Sequence, residues 1–294
     1  MKRFEIIIID GNLLAFRNFF GQRDLSFNGQ GTGLPYGFLS SLLTIREEYA
    51  GRFYVVWDKG RDLRTEIFPE YKANRGKTLD EQTYKDFQRQ KKIVVRLLRN
   101  LGILQVSKRG AEGDDVCATL ANKFMNKEKL IVTSDHDLFQ LIDEQTFILR
   151  AARDGYKLLA AHSFEKEFGV PPGFYVFVLS LTGDKGDNIP GVDGIGLKRA
   201  AQIVNDNRKS IQKFIRGDDN AELVGNEKMI SKIRANAKTV RLAYKLVRLY
   251  DIDRLVFERG ELHENVVKNI FAKLGFVEFR KRKIFQSIIG LKGC

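Results

Sequence analysis

The sequence predicts an α/β fold with a mostly parallel central sheet, followed by a mainly helical second part. Three observations predict it. Short β-branched runs recur, and each stops at or just before an aspartate: Phe4–Ile9 before Asp10, Phe53–Trp57 before Asp58, and Leu130–Thr133 before Asp135. Amphipathic helical stretches separate these runs, the alternation expected of a parallel sheet. From about residue 156 the strand runs give way to helical periodicity.

Taken in order, Phe4–Ile9 reads as a strand buried on both faces, because its apolar residues are continuous rather than alternating. Pro35 opens a helix through Leu39, Leu42, Leu43 and Ile45, since proline suits the first helical turn. Lys91–Leu101 places Ile93, Val94, Leu97, Leu98 and Leu101 on one face, and Ala111–Met125 reads as a further helix. Between them, residues 61–89 are cationic and weakly periodic, with Phe68, Tyr71 and Tyr84 interleaved among lysines and arginines. This stretch reads as an insertion, extending to about residue 92, that projects from the core. Beyond the boundary, Phe174–Leu181, Leu197–Val204, Ala237–Tyr250 and Val266–Leu274 are the clearest helices. The expected domains are 1–155 and 156–294. Arg208–Lys232 gives no clear pattern, and no internal repeat or low-complexity tract is visible.

Composition narrows the function. The 294 residues are 43% hydrophobic, enough for a large core or two. Fifty lysines and arginines against 37 acids leave a formal charge of +13, which favours a polyanionic partner such as nucleic acid. Two distant cysteines make no disulfide framework and fit a reducing cytoplasm. Ile6–Ile9 is too short for a signal sequence or a membrane span, so no membrane role is expected.

Five acidic motifs carry the chemistry: Asp10-Gly-Asn, Asp58-Lys-Gly, Glu112-Gly-Asp114-Asp115, Asp135-His-Asp137 and Asp184-Lys-Gly-Asp187. Any one aspartate before a helix is ordinarily a cap. Five such motifs, three of them at strand ends where parallel sheets place their active sites, are poorly explained by capping. Nine converging carboxylates would repel one another strongly unless divalent cations relieved them. Mg²⁺ and Mn²⁺ prefer such oxygen donors, and a pair of them can clamp the attacking and leaving oxygens of a phosphodiester. Three scattered histidines make no zinc site, His136 reads as a solvent-facing neighbour, and no Walker-type phosphate loop is present.

Residues 183–205 form a second feature. Gly191, Gly194 and Gly196 permit a tight turn with close backbone approach, and the helix that follows carries Lys198 and Arg199 in its first turn. Free N–H groups and two cations at a helix start suit a phosphate, and such a contact reads backbone rather than base sequence.

In order and spacing, these motifs, with Tyr71-Lys72 and Arg75 between the second and third, resemble the 5′-nuclease superfamily. That family includes the 5′-nuclease domain of bacterial type I DNA polymerases, stand-alone phage 5′-nucleases and flap endonucleases. The resemblance runs closely to about residue 205 and more loosely beyond. It implies a PIN-like nuclease domain with a helical arch and a helix–three-turn–helix DNA-binding domain with a hairpin at about 183–205. It implies two Mg²⁺ ions, with Mn²⁺ able to substitute. Asp58, Glu112 and Asp114 would serve one ion, and Asp114, Asp135, Asp137 and Asp184 the other. Asp10, Asp115 and Asp187 would act largely through water. Lys72 and Arg75 would contact the scissile phosphate as catalytic residues, Tyr71 would stack on a base, and the glycine hairpin would hold duplex backbone, with K⁺ there.

The expectation is therefore a monomeric, cytoplasmic, stand-alone enzyme of the kind phages encode. It would be a 5′-3′ exonuclease and flap endonuclease acting in primer removal during replication. Its partners would be DNA with 5′ flaps, 5′ ends or RNA–DNA primers, with a replication polymerase or single-strand-binding protein nearby. Two rivals remain: a DNA-structure-binding protein without catalysis, and a PIN-type ribonuclease. The complete acid set argues against the first, and the hairpin with the cationic stretch argues against the second.

Overall fold

In a computed structural model, residues 1–74, 79–153 and 155–293 are described. In chain order the first elements are β1 (Lys2–Asp10), α1 (Gly11–Gly21), β2 (Ser26–Phe27), β3 (Gln30–Gly31), α2 (Gly33–Glu48), β4 (Tyr49–Trp57), α3 (Asp62–Ile67), α4 (Glu81–Asn100), β5 (Leu104–Ser107), α5 (Gly113–Lys123) and β6 (Lys129–Val132). There follow β7 (Thr146–Ala152), β8 (Gly155–Leu159), α6 (Ala161–Phe168), α7 (Tyr175–Thr182), α8 (Leu197–Asp206), α9 (Arg208–Arg216), α10 (Glu227–Ala235) and α11 (Ala237–Val247). The chain ends with β9 (Val256–Glu258), α12 (Glu264–Lys273), α13 (Val277–Arg280) and α14 (Arg282–Ile289).

These elements form two compact units. One comprises Met1–Gly60, Leu79–Ser134 and Asp251–Cys294, and the other Arg61–Thr78 and Asp135–Tyr250. This division is discontinuous, whereas the sequence reading places a single boundary near residue 155. Within the first unit, the C-terminal segment returns to the sheet because β9 pairs antiparallel with β5 (Gln105 opposite Glu258). The pairing is reinforced by an Arg99–Glu258 ion pair at 2.8 Å. Three exposed or half-exposed residues carry that strand, so no hydrophobic run announced it.

The first unit's sheet is built around β1. This strand pairs parallel with β4 on one side and β6 on the other, and β4 pairs parallel with β5. Ile7, Ile8 and Ile9 have no exposed surface, as the continuous β-branched run predicts for a strand covered on both faces. Each such side chain contributes about 1.5–3 kcal/mol of burial. Phe38 of α2 stacks on Trp57 of β4 at 5.9 Å, closing one face. Parallel register puts Asp10 beside Val56 and Ile9 beside Val132, so the carboxyl ends of three neighbouring strands lie level.

The cationic stretch 61–92 proves to be part helix. α4 starts at Glu81, ten residues before the expected Lys91, because Asp80 caps it by accepting from the Thr83 N–H at 2.9 Å. Thus Tyr84, Lys85 and Arg89 lie on a helix of the first unit, while residues 61–74 belong to the second. Arg75 and Lys77 lie outside the described residues.

The second unit holds the β7–β8 antiparallel hairpin and the helices α6 to α11. Tyr175 through Leu181 of α7 are all buried, and Phe164 stacks on Phe168 at 4.4 Å and meets Tyr175 edge-on at 5.1 Å. Arg208–Lys232, opaque in sequence, is organised around buried Asn207. That side chain donates to Ile203 O and Val224 O and accepts from Val224 N–H at 2.7 Å, tying α8 to the loop after α9. Among the described residues, no helix is long and apolar enough to cross a membrane.

Candidate active site

The first unit carries Asp10, Asp58, Glu112, Asp114 and Asp115. Asp10 ends β1 and caps α1, its Oδ1 accepting from Leu13 N–H at 3.0 Å and its Oδ2 from Thr133 Oγ1 at 3.0 Å. The glycine after it is required by packing, since a Cβ on Gly11 would stand 2.5 Å from Val56 O. Asp58, just past β4, accepts from Gly113 N–H at 2.6 Å. A Cβ at Gly113 would lie 2.4 Å from that same carboxylate oxygen, so glycine is what lets Asp58 approach the start of α5. Glu112 occupies the N-cap position of α5 but makes no side-chain capping bond. It is 6% exposed and Asp115 is 1% exposed. Asp114 and Asp115 fill the first turn, where the helix dipole favours negative charge.

One residue here escaped the sequence reading. Lys91 of α4 donates from Nζ to Asn12 Oδ1 at 2.6 Å and lies 4.9 Å from the centre of the Trp57 ring. Burial pulls its pKa below the ordinary lysine value and Lys59 adds to that, while Asp58 and Asp10 pull it back up. A signal for it existed. Positions 87, 91, 94 and 98 follow helical spacing, so Lys91 is a cation set into the buried stripe of Phe87, Val94 and Leu98.

The second unit carries Asp135, Asp137, Asp184, Asp187 and Lys72. Asp135 Oδ1 accepts from Asp137 N–H at 2.9 Å, and Asp184 Oδ1 accepts from Gly186 N–H at 2.7 Å. The Asp137 carboxyl is raised well above the usual carboxylate range, first by desolvation and then by Asp135 and Asp187, with Lys72 and Arg64 opposing. Lys72 Nζ stands 3.4 Å from Asp187 Oδ2, both side chains more than nine-tenths buried. Lys72 has φ +55°, a left-handed backbone that non-glycine residues adopt at a cost of about 1–3 kcal/mol. The surroundings hold it there. Its N–H donates to Asp187 O at 2.9 Å, its carbonyl accepts from Arg61, and Asn188 (φ +58°) donates to Glu70 O at 2.8 Å. Strain sustained by several independent bonds marks a position whose geometry matters. His136 is exposed, as expected, with Tyr175 Oη 3.5 Å from its Nδ1.

Tyr71 departs from expectation. It is 2% exposed and its ring faces Lys72 Nζ at 4.8 Å, so it offers no free face for a base. The aromatic ring is instead part of the packing that holds Lys72.

In the glycine hairpin, the three glycines differ. A Cβ at Gly191 would lie 2.0 Å from Thr182 O, so this glycine serves the chain's own close approach. Gly194 has φ +80° and open space around it, apart from Lys232 Nζ at 3.8 Å. Gly196 is the extended N-cap residue of α8 with nothing near. Arg199 donates to Gly194 O at 2.8 Å and Lys232 donates to Asp193 O, bracing the turn from two sides, while Lys198 is exposed.

Among the described residues of either unit, no three acid, histidine or cysteine side chains stand close enough to form a metal-holding group. Asp10, Asp58, Asp135 and Asp184 instead point one oxygen at local N–H donors. The donor chemistry nonetheless suits a hard divalent cation. Every candidate is a carboxylate, and Asp137, raised first by desolvation and then by Asp135 and Asp187, is a buried acid whose charged form a cation would favour.

Acids at the carboxyl ends of parallel strands, a strained buried lysine among further acids, and a braced glycine hairpin before a cationic helix make up the candidate site. The comparisons with known proteins make this specific. The model of the N-terminal resolvase-like domain of 5′-3′ exonucleases matches residues 5–169, and that of their C-terminal SAM-fold domain matches residues 170–265. The chain belongs to the 5′-3′ exonuclease family. DNA polymerase I of Thermus thermophilus is 32% identical over 279 residues, 94% of this chain and 32% of the polymerase. The 5′-3′ exonuclease of Buchnera aphidicola subsp. Schizaphis graminum is 29% identical over 256 residues, 84% of this chain and 87% of that protein. The chain spans 28% to 32% of the length of the polymerase relatives named thermostable DNA polymerase I in Thermus species. Among solved structures, the T5 D15 protein co-crystallised with metal ions superposes with a TM-score of 0.68 at 20% identity, covering 98% of this chain and 99% of that one. Human GEN1 in complex with Holliday junction DNA superposes at 0.62 with 14% identity, covering 98% and 71%. At these identities the structures establish the shared fold. The fold is thus of the expected α/β class with a mostly parallel central sheet, its N-terminal domain resolvase-like and its helical second domain a SAM fold.

Proposed function

We propose that the chain is a divalent-metal-dependent nuclease that hydrolyses phosphodiester bonds near 5′ ends and 5′ flaps of DNA, with primer removal as its role in replication. The observation that carries this reading is Lys72, strained and buried against Asp187 and beside Asp137, whose carboxyl is raised first by desolvation and then by Asp135 and Asp187.

Asp58, Glu112 and Asp114 of the first unit and Asp135, Asp137 and Asp184 of the second would hold two Mg²⁺ ions, with Mn²⁺ as a substitute. Asp10, Asp115 and Asp187 would support them through water and hydrogen bonds. Bound ions supply neutralisation of phosphate charge and activation of water. In the hydrolysis, the water oxygen joins phosphorus, the P–O3′ bond breaks, and O3′ takes a proton, leaving a 5′-phosphate and a 3′-hydroxyl. The part of this chain is to orient and neutralise. Lys72 Nζ, with Arg75, meets the charge that grows on the phosphate oxygens. Lys91, fixed over Trp57, is a further cation for the first acid set. The hairpin at Gly194 and Gly196, with Lys198 and Arg199 at the start of α8, would hold duplex backbone, with K⁺ as a further ion there. A monomer in the cytoplasm, working beside a polymerase or a single-strand-binding protein, fits this role.

The test uses four labelled substrates with Mg²⁺: a 5′-flap duplex, a nicked duplex, a 3′-flap duplex and a flap with its 5′ end closed by a hairpin. Cleavage of the first two, yielding 5′-phosphate products, is expected. Equal cutting of the 3′ flap would refute the 5′ polarity.

A further inference from the structure

A groove of about 740 Å³ lies between α3, the end of α9 and α11 of the second unit, a volume ordinary for a pocket that buries a ligand. None of its lining residues takes part in the chemistry described above. Its floor is aliphatic: Leu63 and Ile67 of α3, both half-buried, and buried Ile215 of α9. Its rim carries Arg216, Arg241, Lys245 and Arg248, and no carboxylate is among the described residues that line it. Arg241 is paired with Asp219 at 2.6 Å. Arg216, Lys245 and Arg248 have no carboxylate partner among the described residues, and the first two are exposed.

The chain's own bonds hold the groove in shape. Buried Arg64 of α3 donates from Nε to Leu246 O at 2.7 Å and from Nη2 to Arg248 O at 3.0 Å, which fixes α3 against the end of α11. Tyr250 Oη donates to Lys245 O at 2.7 Å. Arg241 also donates to Phe214 O at 3.0 Å, so its guanidinium is positioned rather than loose.

Charge alone would suit any polyanion, and the walls and floor decide between them. Tyr244 stacks on Phe177 at 5.7 Å and also meets the Arg248 guanidinium at 5.8 Å. Tyr250 meets that same guanidinium at 4.3 Å and that of Arg64 at 5.6 Å. Both rings are thus occupied by the chain itself, and a nucleic acid bound here would lay sugar and phosphate on aliphatic side chains without stacking its bases. A protein segment meets both features. Its carboxylates pair with guanidinium forks and ammonium, and an aliphatic side chain set between them covers the floor.

We infer that this groove docks an acidic segment of a partner protein. A leucine-like side chain sits on Leu63, Ile67 and Ile215, and the flanking carboxylates meet Arg216, Lys245 and Arg248, the arrangement by which arginine clusters recognise acidic motifs. The inference stands apart from the nuclease reading, because docking needs neither metal nor cleavage.

The experiment measures, in EDTA, the fluorescence anisotropy of a fluorescein-labelled peptide, Asp-Asp-Leu-Asp-Asp-Leu-Asp-Asp, and of the same peptide with serine in place of leucine. Wild type should bind the leucine peptide about tenfold more tightly, the scale of seating one aliphatic side chain. An Arg216→Glu, Lys245→Glu double variant should bind the leucine peptide at least about tenfold more weakly, because like charges now face each other. Its unfolding temperature should match wild type, and its affinity for labelled oligothymidylate should change by less than about threefold, through the weakened long-range field alone. An equal loss on oligothymidylate assigns the groove to nucleic acid and overturns the proposal. Equal wild-type binding of the two peptides reduces the groove to diffuse charge and overturns it as well. So does a leucine peptide that shows no saturable binding, or one whose binding the double variant leaves unchanged.

Discussion

Replacing Lys72 separates the two roles given to it, in stability and in chemistry. Its ammonium lies 3.4 Å from Asp187 with both side chains more than nine-tenths buried. At an effective dielectric near 20, that separation is worth about 5 kcal/mol of gross attraction, most of it offset by desolvation. Lys72→Met leaves Asp135, Asp137 and Asp187 with less opposing charge, and breaking a buried pair this way costs about 3 kcal/mol. Asp187→Asn loses the same pair but relieves repulsion on Asp137, so it should cost only about 1 kcal/mol. The double variant should fall short of the sum by about 2 kcal/mol, the coupling expected of neighbours. Thermal unfolding in EDTA reads this directly, at about 2–4 °C per kcal/mol for a chain of this size. Single-turnover cleavage reads the other role. Lys72→Met should slow it about a hundredfold or more, and the double variant should regain stability without regaining rate. Stability losses that add within about 0.5 kcal/mol would refute the pair, and a double variant that regains rate would refute the catalytic role.

Three further outcomes are expected. Because the Asp137 carboxyl is raised in the folded protein, that group favours folding most below the ordinary carboxylate range, and its contribution is lost as pH rises through the folded value. Asp137→Asn should therefore raise the unfolding temperature near neutral pH in EDTA, with a gap to wild type that shrinks on acidification. A gap that widens in acid would reverse the sign. Gly194→Val places a β-branched residue at φ +80°, costing about 1–2 kcal/mol locally, and duplex affinity should fall far more than the rate on saturating substrate. Lower thermal stability with unchanged binding would make the hairpin purely structural. Lys91→Met removes a cation from beside Asp10 and Asp58, so Mg²⁺ should titrate the first acid set at severalfold lower concentration. The emission of Trp57, the single tryptophan, reports it, and an unchanged midpoint would remove Lys91 from the site.

Much of the fold was legible because its cause is local. Ile6–Ile9 and Phe53–Trp57 are continuous apolar runs, and a strand covered on both faces has no other pattern to show. α2, α5, α8, α11 and α12 each carry an apolar stripe that their packing consumes, and α7 is buried on all sides. What escaped depends on distant partners. β9 is three residues joined to β5 by backbone bonds and one ion pair, which leave no periodicity behind. α8 and the loop after α9 are joined by Asn207, a buried polar residue whose partners are carbonyls and N–H groups that any sequence supplies. α4 began earlier than its apolar stripe because Asp80 caps a polar first turn. In the candidate site, acid positions were visible as strand-end motifs. Their glycines proved equally informative, since Gly11 and Gly113 are required by contacts of 2.5 and 2.4 Å. Tyr71 was misread because an aromatic beside a lysine looks the same whether it faces solvent or packs beneath the ammonium. Lys91 was visible as a charge inside an apolar stripe, a signal outweighed by its many cationic neighbours in sequence.

The most direct test of metal-dependent 5′ cleavage is single-turnover cutting of a labelled 5′-flap duplex by wild type and Asp114→Asn, each with Mg²⁺ and with EDTA, with binding measured in parallel. Wild type should cut in Mg²⁺ and not in EDTA. Asp114→Asn should bind the flap at least as tightly, because one repelling charge is gone, and should cut slower by several orders of magnitude. Undiminished cleavage in EDTA, or near-normal cleavage by Asp114→Asn, would contradict the account.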